Sequence, residues 1–398
     1  MTRPRLSVHD HMRALPEAAW DDLLAQQAHP APFLRHAYLS AMTDSASATP
    51  ETGWTPRLFA LWQPAVRGDK DMLVAACMLY LKTHSYGEYV FDHAWAHAYR
   101  QHGVAYYPKA VIAPPFTPVP GSRLLARDAE ARSCLLQGVV DWCMAQDVSS
   151  LHLLFIDEAD HQACELAGLM VRHNVQFHWS NRSGGGYADF DDFLATLTQD
   201  KRKKIRQERR KVADAGVAFR WAQGRDITPA DWDFFYRCYE RTYYEHGNAP
   251  YLSRDFFDRM AATMSQNWLL FVGERGGRPI ACSLVGLNDL ATGADRDKVA
   301  YGRYWGALER VDCLHFEACY YQPLQWCIEQ GYQRFEGGAQ GEHKMARALL
   351  PTPTRSAHWL AHPAFAQAVE DFLQREGRGM ARYLQKLEQH TPFKAPGH

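Results

Sequence analysis

The stretch Tyr332-Gln-Arg-Phe-Glu-Gly-Gly-Ala-Gln-Gly-Glu-His-Lys344 joins a strand pattern to a glycine-rich turn and a group of ionisable side chains. Its first residues alternate between polar and apolar, which is typical of a strand. The three glycines allow sharp backbone turns and leave peptide N–H groups open to a ligand. Because α/β proteins place ligands where strands end, the stretch predicts an α/β fold with a ligand site at 337–344. A glycine hairpin with solvated charges is the alternative.

The composition is typical of a folded protein with two to three domains. Of the 398 residues, 46% are hydrophobic and 13% are aromatic, which is enough for two well-packed cores. The formal net charge of −1 gives no general basic surface, so any site for phosphates must be local. Nine Cys occur without a C-x-x-C pair, which argues against zinc ribbons and thioredoxin-like redox sites.

The N-terminal segment and the hydropathy pattern predict a cytoplasmic protein. Residues 1–20 contain no apolar segment of the kind that a signal peptide needs. The sequence has no uncharged apolar run of about 18 residues, so we predict no membrane span. The odd number of cysteines without a secretion signal predicts reduced and mostly buried thiols.

The order of predicted elements repeats between the two halves of the chain. Each half has a predicted β-hairpin, at 57–80 and at 268–285, and the second strand of each contains Ala-Cys-x-Leu. Each half also has a helix that contains Trp-Cys and precedes a strand, at 142–156 and at 326–336. The repetition predicts that one α/β module occurs twice.

The predicted domain boundaries follow from this repeat. We predict an N-terminal domain at 1–190, a basic connecting helix at 191–215 and a C-terminal domain at 216–398. The N-terminal domain contains an insert at 83–120 that is rich in Tyr, His and Pro. Its prolines exclude a regular strand or helix through its last motif, and its aromatic residues would pack or form one wall of a substrate groove.

The connecting segment carries the densest charge in the chain. Eight of the eleven residues 201–211 are Lys or Arg. Helical spacing places Arg202, Arg206 and Arg209 on one side, which we predict to be exposed. Like charges at this density destabilise a helix unless an anion binds, so the row predicts a clamp for phosphates of coenzyme A, of a lipid or nucleotide headgroup, or of tRNA. A solvated charged face is the alternative.

Several motifs together resemble a known family. The C-terminal half contains Gly302-Arg-Tyr-Trp-Gly306, Leu314-His-Phe-Glu317, Cys319-Tyr-Tyr321 and Gly338-Ala-Gln-Gly-Glu-His-Lys344. The N-terminal half contains Gly87-Glu-Tyr-Val-Phe-Asp92, Tyr106-Tyr-Pro-Lys109 and Pro115-Phe-Thr-Pro118. Over most of residues 30–375 the chain resembles the FemAB-like N-acyltransferases of the GNAT superfamily. One departure is Arg347-Ala-Leu-Leu-Pro351, where the family usually has Arg-Gly-Phe before a proline.

The resemblance implies a fold and a chemistry. The fold class is α/β of the α+β type, with two tandem GNAT-like domains, each a mixed, mostly antiparallel sheet flanked by helices. The implied activity moves an acyl group from an activated donor to an amine, as in the bacterial Fem aminoacyltransferases that build peptidoglycan cross-bridges. The acceptor would be an amine of a small molecule, a peptide or a cell-wall precursor. The enzyme would hold no bound cofactor.

The resemblance leaves the donor open between an acyl-CoA and an aminoacyl-tRNA. Acetyl-CoA-binding GNAT enzymes usually carry Arg/Gln-x-x-Gly-x-Gly/Ala between a strand and a helix, and the sequence has no such motif after the predicted strand at 299–307. The near-neutral net charge argues against a tRNA-binding surface. The missing motif weakens the case for ordinary acetyl-CoA, whereas the near-neutral charge favours a CoA-type thioester slightly over tRNA. The oligomeric state is not predicted.

Amine acylation needs a base, an acid for the leaving group and positive charge for the substrate. We predict His343 as the base, with Glu342 or Glu317 orienting it or accepting the proton through water. Tyr304 or Tyr301 would protonate the leaving group. The predicted substrate-binding residues are Lys344, Arg303, Gln340, Gly338, Gly341, His315 and Arg347.

Three other chemistries remain open. Cys319 lies near His315 and Glu317 in the sequence and would be a nucleophile. A metal site would use His315, Glu317 and His343, although their spacing is not typical of a metal motif. The third reading is a non-catalytic module that binds peptidoglycan or an anionic polymer.

Overall fold

A computed structural model describes residues 4–65, 70–288, 298–339 and 341–394. Within these residues the strands are β1 (Arg5–His9), β2 (Trp54–Gln63), β3 (Met72–Lys82), β4 (Lys109–Ile112), β5 (Leu125–Ala126), β6 (Ser150–Ile156), β7 (Met170–Ser180), β8 (Val217–Gln223), β9 (Trp268–Arg275), β10 (Arg278–Leu287), β11 (Val299–Ala307), β12 (Arg334–Ala339) and β13 (Leu350–Leu360).

The helices of the described residues are α1 (Glu17–Ala25), α2 (His36–Asp44), α3 (His93–Gln101), α4 (Ala129–Ala145), α5 (Glu158–Leu166), α6 (Phe190–Thr196), α7 (Gln199–Asp214), α8 (Pro229–Glu245), α9 (Arg254–Thr263), α10 (Leu314–Phe316), α11 (Gln322–Glu329) and α12 (Pro363–Glu388). A π-helical segment, Glu317–Tyr321, joins α10 to α11. Glu342–Arg347 form a 3-10 helix. Within the described residues, no helix combines the length and the apolar character needed to cross a membrane.

The chain forms two compact units. Unit 1 contains the described residues up to Asn174 together with Pro353–Arg382. Unit 2 contains the described part of Val175–Thr352 and the described residues from Tyr383 onward.

The sheet of unit 1 has the strand order β1-β2-β3-β4-β6-β13, and β5 pairs with β3. The first three pairings along this order are antiparallel. The pairing of β4 with β6 is parallel, and that of β6 with β13 is antiparallel. Leu135, Leu136 and Val139 of α4 are fully buried against this sheet, and such burial stabilises the fold by about 1.5–3 kcal/mol for each large apolar side chain.

The sheet of unit 2 repeats this pattern in the order β8-β9-β10-β11-β12-β7. Its first three pairings are antiparallel, β11 pairs with β12 in parallel, and β12 pairs with β7 antiparallel. The predicted hairpins are β2–β3 and β9–β10, and the Trp-Cys helices are α4 and α11. The predicted fold class, with mixed and mostly antiparallel sheets flanked by helices, is therefore confirmed.

The division into units differs from the predicted domain boundaries. Leu360, Val369 and Leu373 pack with Trp95 and Tyr99 in a core cluster of unit 1, so the segment after Pro353 returns to the first unit. A boundary read along the chain misses this return because it assumes that each domain is continuous.

Two predicted accessory segments are integral parts of the units. The basic helix α7 buries Ile205 and Val212 in apolar clusters of unit 2, so it is a structural helix of that unit and not a connector. The predicted insert at 83–120 contains α3 and also β4, which is a central strand of unit 1. Its Pro-rich last motif contains no regular helix or strand, as predicted.

Candidate active site

Strands β11 and β12 separate after a short parallel pairing, and the gap between them holds the candidate site. They pair from Val299–Arg334 to Tyr301–Glu336. Beyond this point β11 continues along β10, and β12 continues along β7. In β11, Arg303 is an extra residue, because Gly302 lies opposite Val285 and Tyr304 lies opposite Leu284. Such a bulge bends a strand and changes the direction of its side chains, so it helps to open the gap.

A cavity of about 270 Å³ occupies this gap. It receives residues from three strands, from the helical segment that follows Cys313 and from the 3-10 helix. Its lining residues are Ser283, Leu284, Val285, Gly302, Arg303, Tyr304, Trp305, His315, Cys319, Tyr320, Phe335, Gly337, His343 and Lys344.

The π-helical segment brings the helical residues to the cavity wall. The N–H of Gln322 donates to the carbonyl of Glu317, five residues earlier, which leaves the carbonyl of Ala318 outside the usual α-helical ladder. The hydroxyl of Ser283 donates to that carbonyl at 2.5 Å. π-helical turns are frequent at functional sites because they change the direction of successive side chains. Here the segment carries Cys319 and Tyr320, both of which line the cavity.

The backbone of the signature loop depends on its glycines. Gly338 has φ +79° and Gly341 has φ +114°, both in the left-handed region. A Cβ at Gly341 would lie 2.6 Å from Cε1 of His343, so this glycine makes room for the imidazole. Ala348, which stands where the family usually has glycine, also has a positive φ, of +62°. The left-handed turn is therefore kept without glycine, at an energetic cost for a residue with a Cβ.

Two imidazoles face the cavity and are neutral near pH 7. The Nε2 atom of His343 lies 3.2 Å from the hydroxyl of Tyr320. Burial, and then the charges of Lys344 and Arg347, lower the pKa of His343. Burial and the charges of His343, Arg347 and Lys344 lower the pKa of His315 to about 4. A neutral imidazole can accept a proton, so either histidine has the protonation state that a general base needs.

Two cations lie beside the imidazoles. Lys344 is 4% exposed, and its ammonium donates to the carbonyl of Gly338 at 3.1 Å. Burial lowers the pKa of Lys344 to about 8, so most molecules carry the charge at pH 7. The guanidinium of Arg303 donates to the hydroxyl of Tyr304 at 3.2 Å. These groups can stabilise negative charge that develops on a bound substrate.

The structure brings five of the predicted site residues together. The five that line the cavity are His343, His315, Tyr304, Arg303 and Lys344. Two predicted glycines shape the loop: the Gly338 carbonyl holds the Lys344 ammonium, and Gly341 lies beneath the His343 ring. Gln340 lies outside the described residues.

The two predicted carboxylates make other contacts. Glu317 is buried, and its Oε1 accepts from Arg209 at 3.1 Å and from Gln322 at 2.7 Å. Glu342 is exposed and accepts from the hydroxyl of Tyr383. Neither lines the cavity described here, and the imidazole of His343 contacts Tyr320 instead. The expectation that a carboxylate orients His343 is therefore not met in this structure.

We predicted that Arg347 binds the substrate, but in the structure its guanidinium contacts other residues of the protein. Its guanidinium is 3% exposed and pairs with the carboxylate of Glu208 at 3.0 Å. It also donates to the carbonyl of His343 at 2.7 Å and lies 3.4 Å from the ring centroid of Phe316. Arg347 thus holds the backbone that carries His343, and a substrate would reach it only by displacing Glu208.

The predicted row of arginines on α7 is not a single exposed face. Arg209 is half-buried, contacts Glu317 and donates to Gln325 at 2.9 Å. Arg206 is exposed and pairs with Asp191 at 3.1 Å, and Arg202 is half-buried near the start of the helix. The helical spacing of the arginines could not predict these contacts, because the acidic partners Asp191 and Glu317 lie outside α7.

The structure argues against Cys319 as a nucleophile. Burial raises the pKa of the Cys319 thiol, and a thiol that keeps its proton is a poor nucleophile. Among the described residues, no group of three His, Cys, Asp or Glu side chains is arranged to hold a metal ion.

Tyr320 and Ser283 are cavity residues that our sequence analysis missed. Tyr320 contacts the imidazole of His343, and Ser283 stabilises the π-helical turn. Tyr320 lies in a motif of the FemAB-like resemblance, which is the one signal that pointed towards it. The role of Ser283 depends on a carbonyl released by the π-helical register, and no local pattern predicts that register.

The family assignment rests on a match over nearly the whole chain. The family model for FemAB-like proteins, described as peptidoglycan biosynthesis/recognition, matches residues 11–395. The chain belongs to the FemAB-like family. No curated protein matches it.

Solved structures share the fold of this FemAB-like protein. FemX has 10% sequence identity and a TM-score of 0.53, with 89% of this chain and 98% of FemX covered. L-PGS from Bacillus licheniformis has 11% identity and a TM-score of 0.50, with 90% and 97% covered. A tandem GNAT protein from the clavulanic acid biosynthesis pathway has 12% identity and a TM-score of 0.44, with 91% and 99% covered. The match of the family model confirms the predicted family, and the likenesses to FemX and to L-PGS show a shared fold.

Proposed function

We propose that this FemAB-like protein is an N-acyltransferase that uses the cavity between β11 and β12 of unit 2. The observation that carries the proposal is the pair of neutral imidazoles, His315 and His343, in a cavity that also holds Lys344 and Arg303. A base and positive charge in one partly closed space are what amine acylation requires.

The reaction joins the nitrogen of an acceptor amine to the carbonyl carbon of the donor. The N–C bond forms first and gives a tetrahedral intermediate, and the bond from the carbonyl carbon to the leaving sulfur or oxygen breaks when this intermediate collapses. The proton of the amine passes to His343 or His315, and the leaving group takes a proton from Tyr304 or Tyr320. Burial raises the pKa of Tyr320, so this phenol keeps its proton until it is needed. Lys344 and Arg303 stabilise the oxyanion of the intermediate or a carboxylate on the acceptor.

An acyl-CoA-type thioester is the donor that we favour. The cavity of about 270 Å³ is close to the lower end of the range for small-molecule sites, which suits a short acyl group. The net charge of −1 supports a donor with few phosphates. Arg202 and Arg206 of α7 are our candidates for those phosphates, whereas Arg209 is engaged by Glu317.

An aminoacyl-tRNA is the second candidate donor, and the specific observation in its favour is α7. Lys203, Lys204, Arg206 and Arg210 are exposed along this helix, which is the kind of surface that contacts a nucleic-acid backbone. The acceptor would then be a peptidoglycan precursor, as the family description suggests.

The test is transfer of labelled acyl groups to a panel of amines that includes a peptidoglycan pentapeptide. Labelled acetyl-CoA and labelled alanyl-tRNA are supplied separately. We expect labelled product with one donor, and we expect Arg303→Gln to lower the rate of transfer while the matched surface variant Arg278→Gln leaves it unchanged. Binding of the pentapeptide without transfer from either donor contradicts the proposal and supports the non-catalytic binding module.

Salt dependence separates the two donors. If tRNA binds α7, its affinity falls steeply with salt, and the slope of log affinity against log salt becomes shallower by about one unit for each of Arg202→Gln and Arg206→Gln. If an acyl-CoA binds, the slope is small and tRNA does not compete. Unchanged affinity for both donors in the double variant identifies α7 as a solvated face and removes both arginines from the proposal.

A further inference from the structure

Unit 1 contains a second cavity that the proposed transferase chemistry does not use. It is a groove of about 690 Å³ between α3 and the loop that follows it. The volume lies in the range of small-molecule sites, which is roughly 300–1,000 Å³. The groove lies in the segment 83–120, whose Tyr106-Tyr-Pro-Lys109 motif has no role in the cavity of unit 2.

One wall of the groove carries the polar groups. His93, His97 and Arg100 lie on one face of α3, at positions i, i+4 and i+7. Arg100 and His97 are already joined by a hydrogen bond of 2.9 Å between Nη2 and Nδ1, which orients the guanidinium. All three residues are exposed. Of the described residues that line the groove, none is acidic. The wall therefore attracts anions and contains no carboxylate to repel them.

The remaining side chains of the lining are mainly apolar, and we call this part of the lining the floor of the groove. It is formed by Ala96, Val104, Ala105 and the rings of Tyr106 and Tyr107. An apolar floor and a wall that carries a positive charge match a ligand with an apolar body and an anionic head. The body then packs on apolar groups, and the head lies next to the opposite charge.

Buried hydrogen bonds hold the two tyrosines of the floor in place. The hydroxyl of Tyr107 lies 2.8 Å from that of Ser85, which accepts from the ammonium of Lys109 at 2.9 Å. The hydroxyl of Tyr106 donates to Asp92 at 2.6 Å, and Asp92 in turn pairs with Lys109.

This network fixes the floor before any ligand arrives. Lys109 is fully buried, and it also pairs with Glu88 at 2.7 Å. A floor held by a buried network of charges is preorganised. Its side chains therefore lose less conformational entropy when a ligand binds.

From these observations we propose that the groove of unit 1 binds a small amphipathic anion, with a carboxylate or phosphate against Arg100 and His97 and its apolar body on Tyr106 and Tyr107. This site is separate from the proposed transferase cavity and does not depend on its chemistry.

The test measures binding of simple probes by calorimetry, below their micelle concentrations. Decyl phosphate and decanoate carry the two candidate anionic heads on one apolar body, and decanamide is the neutral control. We expect one or both anions to bind at least tenfold more tightly than decanamide, and the better of the two identifies the head group. Inorganic phosphate alone should bind more weakly than decyl phosphate. Equal affinity for decanamide and the anions overturns the proposal.

Substitutions locate the binding. Arg100→Gln should weaken anion binding about tenfold, because it removes a charge-assisted hydrogen bond to the anionic head. Val104→Glu should abolish it by placing a negative charge on the floor. Arg13→Gln changes an exposed arginine of unit 1 outside the groove and should leave affinity unchanged, as should Arg303→Gln in unit 2. Loss of affinity in Arg303→Gln with none in Arg100→Gln places the ligand in unit 2 and overturns the proposal. Circular dichroism checks that each variant is folded.

Discussion

The two units share one strand order but use the space beyond their parallel strand pair in opposite ways. In unit 1, β4 and β6 pair from Ala110–Leu151 to Ile112–Leu153. Beyond this point the segment around Gly121 lies along β6: the N–H of Gly121 donates to Phe155 at 3.0 Å, and the guanidinium of Arg123 donates to Leu154 at 2.6 Å. In unit 2 the equivalent space beside Gly337 is the cavity between β11 and β12.

The histidines of the two units show the same contrast. In unit 1, His152 and His358 are each 1% exposed, and their Nδ1 atoms lie 2.7 Å apart. In unit 2, His315 and His343 lie at the wall of the cavity. One backbone framework is therefore filled by the chain itself in unit 1 and stays open as a cavity in unit 2.

The largest expected effect tests the contrast between the histidine pairs. We expect His343→Ala to lower acyl-transfer turnover by about 10²–10⁴-fold with little change in thermal stability, because it removes a base from an open cavity. We expect His152→Ala to leave turnover per folded molecule unchanged and to lower the free energy of unfolding by about 1–3 kcal/mol, because it leaves buried polar groups unpaired.

Turnover with the active donor and thermal unfolding are measured on the same preparations. His246→Ala, at an exposed histidine of unit 2 outside the cavity, is the matched control. Wild-type turnover in both His343→Ala and His315→Ala would remove the imidazoles from the mechanism and break the comparison.

The second effect tests the filled gap of unit 1. Arg123 is 2% exposed and its guanidinium also donates to the carbonyl of Val119, so Arg123→Ala leaves two buried carbonyls without their donor. We expect the free energy of unfolding to fall by about 3 kcal/mol or more. Arg303→Ala, at the open gap, should cost about 1 kcal/mol or less. Urea unfolding curves give both values, and similar losses in the two variants would show that the gaps do not differ as described.

The third prediction concerns acid stability. Burial, and then the charge of Lys109, lower the pKa of His152 to about 3, and burial also lowers that of His358. The pKa of a histidine in the unfolded chain is about 6.5. At pH values between this pKa and the lower pKa in the folded protein, the unfolded chain binds a proton that the folded protein does not. Stability should therefore fall as the pH drops from about 6.5 towards 3, by at most about 1.4 kcal/mol per pH unit for each such histidine.

The measurement is the free energy of unfolding at several pH values for the wild type and for His152→Gln. The variant should lose part of the slope below pH 6.5. His315→Gln should change the slope over a narrower range, because the pKa of His315 falls only to about 4. An unchanged slope in His152→Gln would mean that this histidine does not disfavour protonation of the folded state.

The sequence by itself determined the elements and much of the candidate site. Alternating and helical patterns identified the β2–β3 and β9–β10 hairpins and the helices α4 and α11, because side-chain periodicity reflects which face of an element is buried. The site loop was recognisable because glycines and ionisable residues are adjacent in the chain, and five predicted residues meet in one cavity.

The tertiary fold determines which charged residues are engaged by distant partners. Arg347 is held by Glu208, 139 residues earlier, and Arg209 is held by Glu317, 108 residues later. It also decided that β13 completes the sheet of unit 1 and that Arg123 fills one gap while the other stays open. These outcomes depend on contacts between residues that are far apart in the chain. Local periodicity indicates which side of an element is buried, but it does not indicate which distant residue packs against that side.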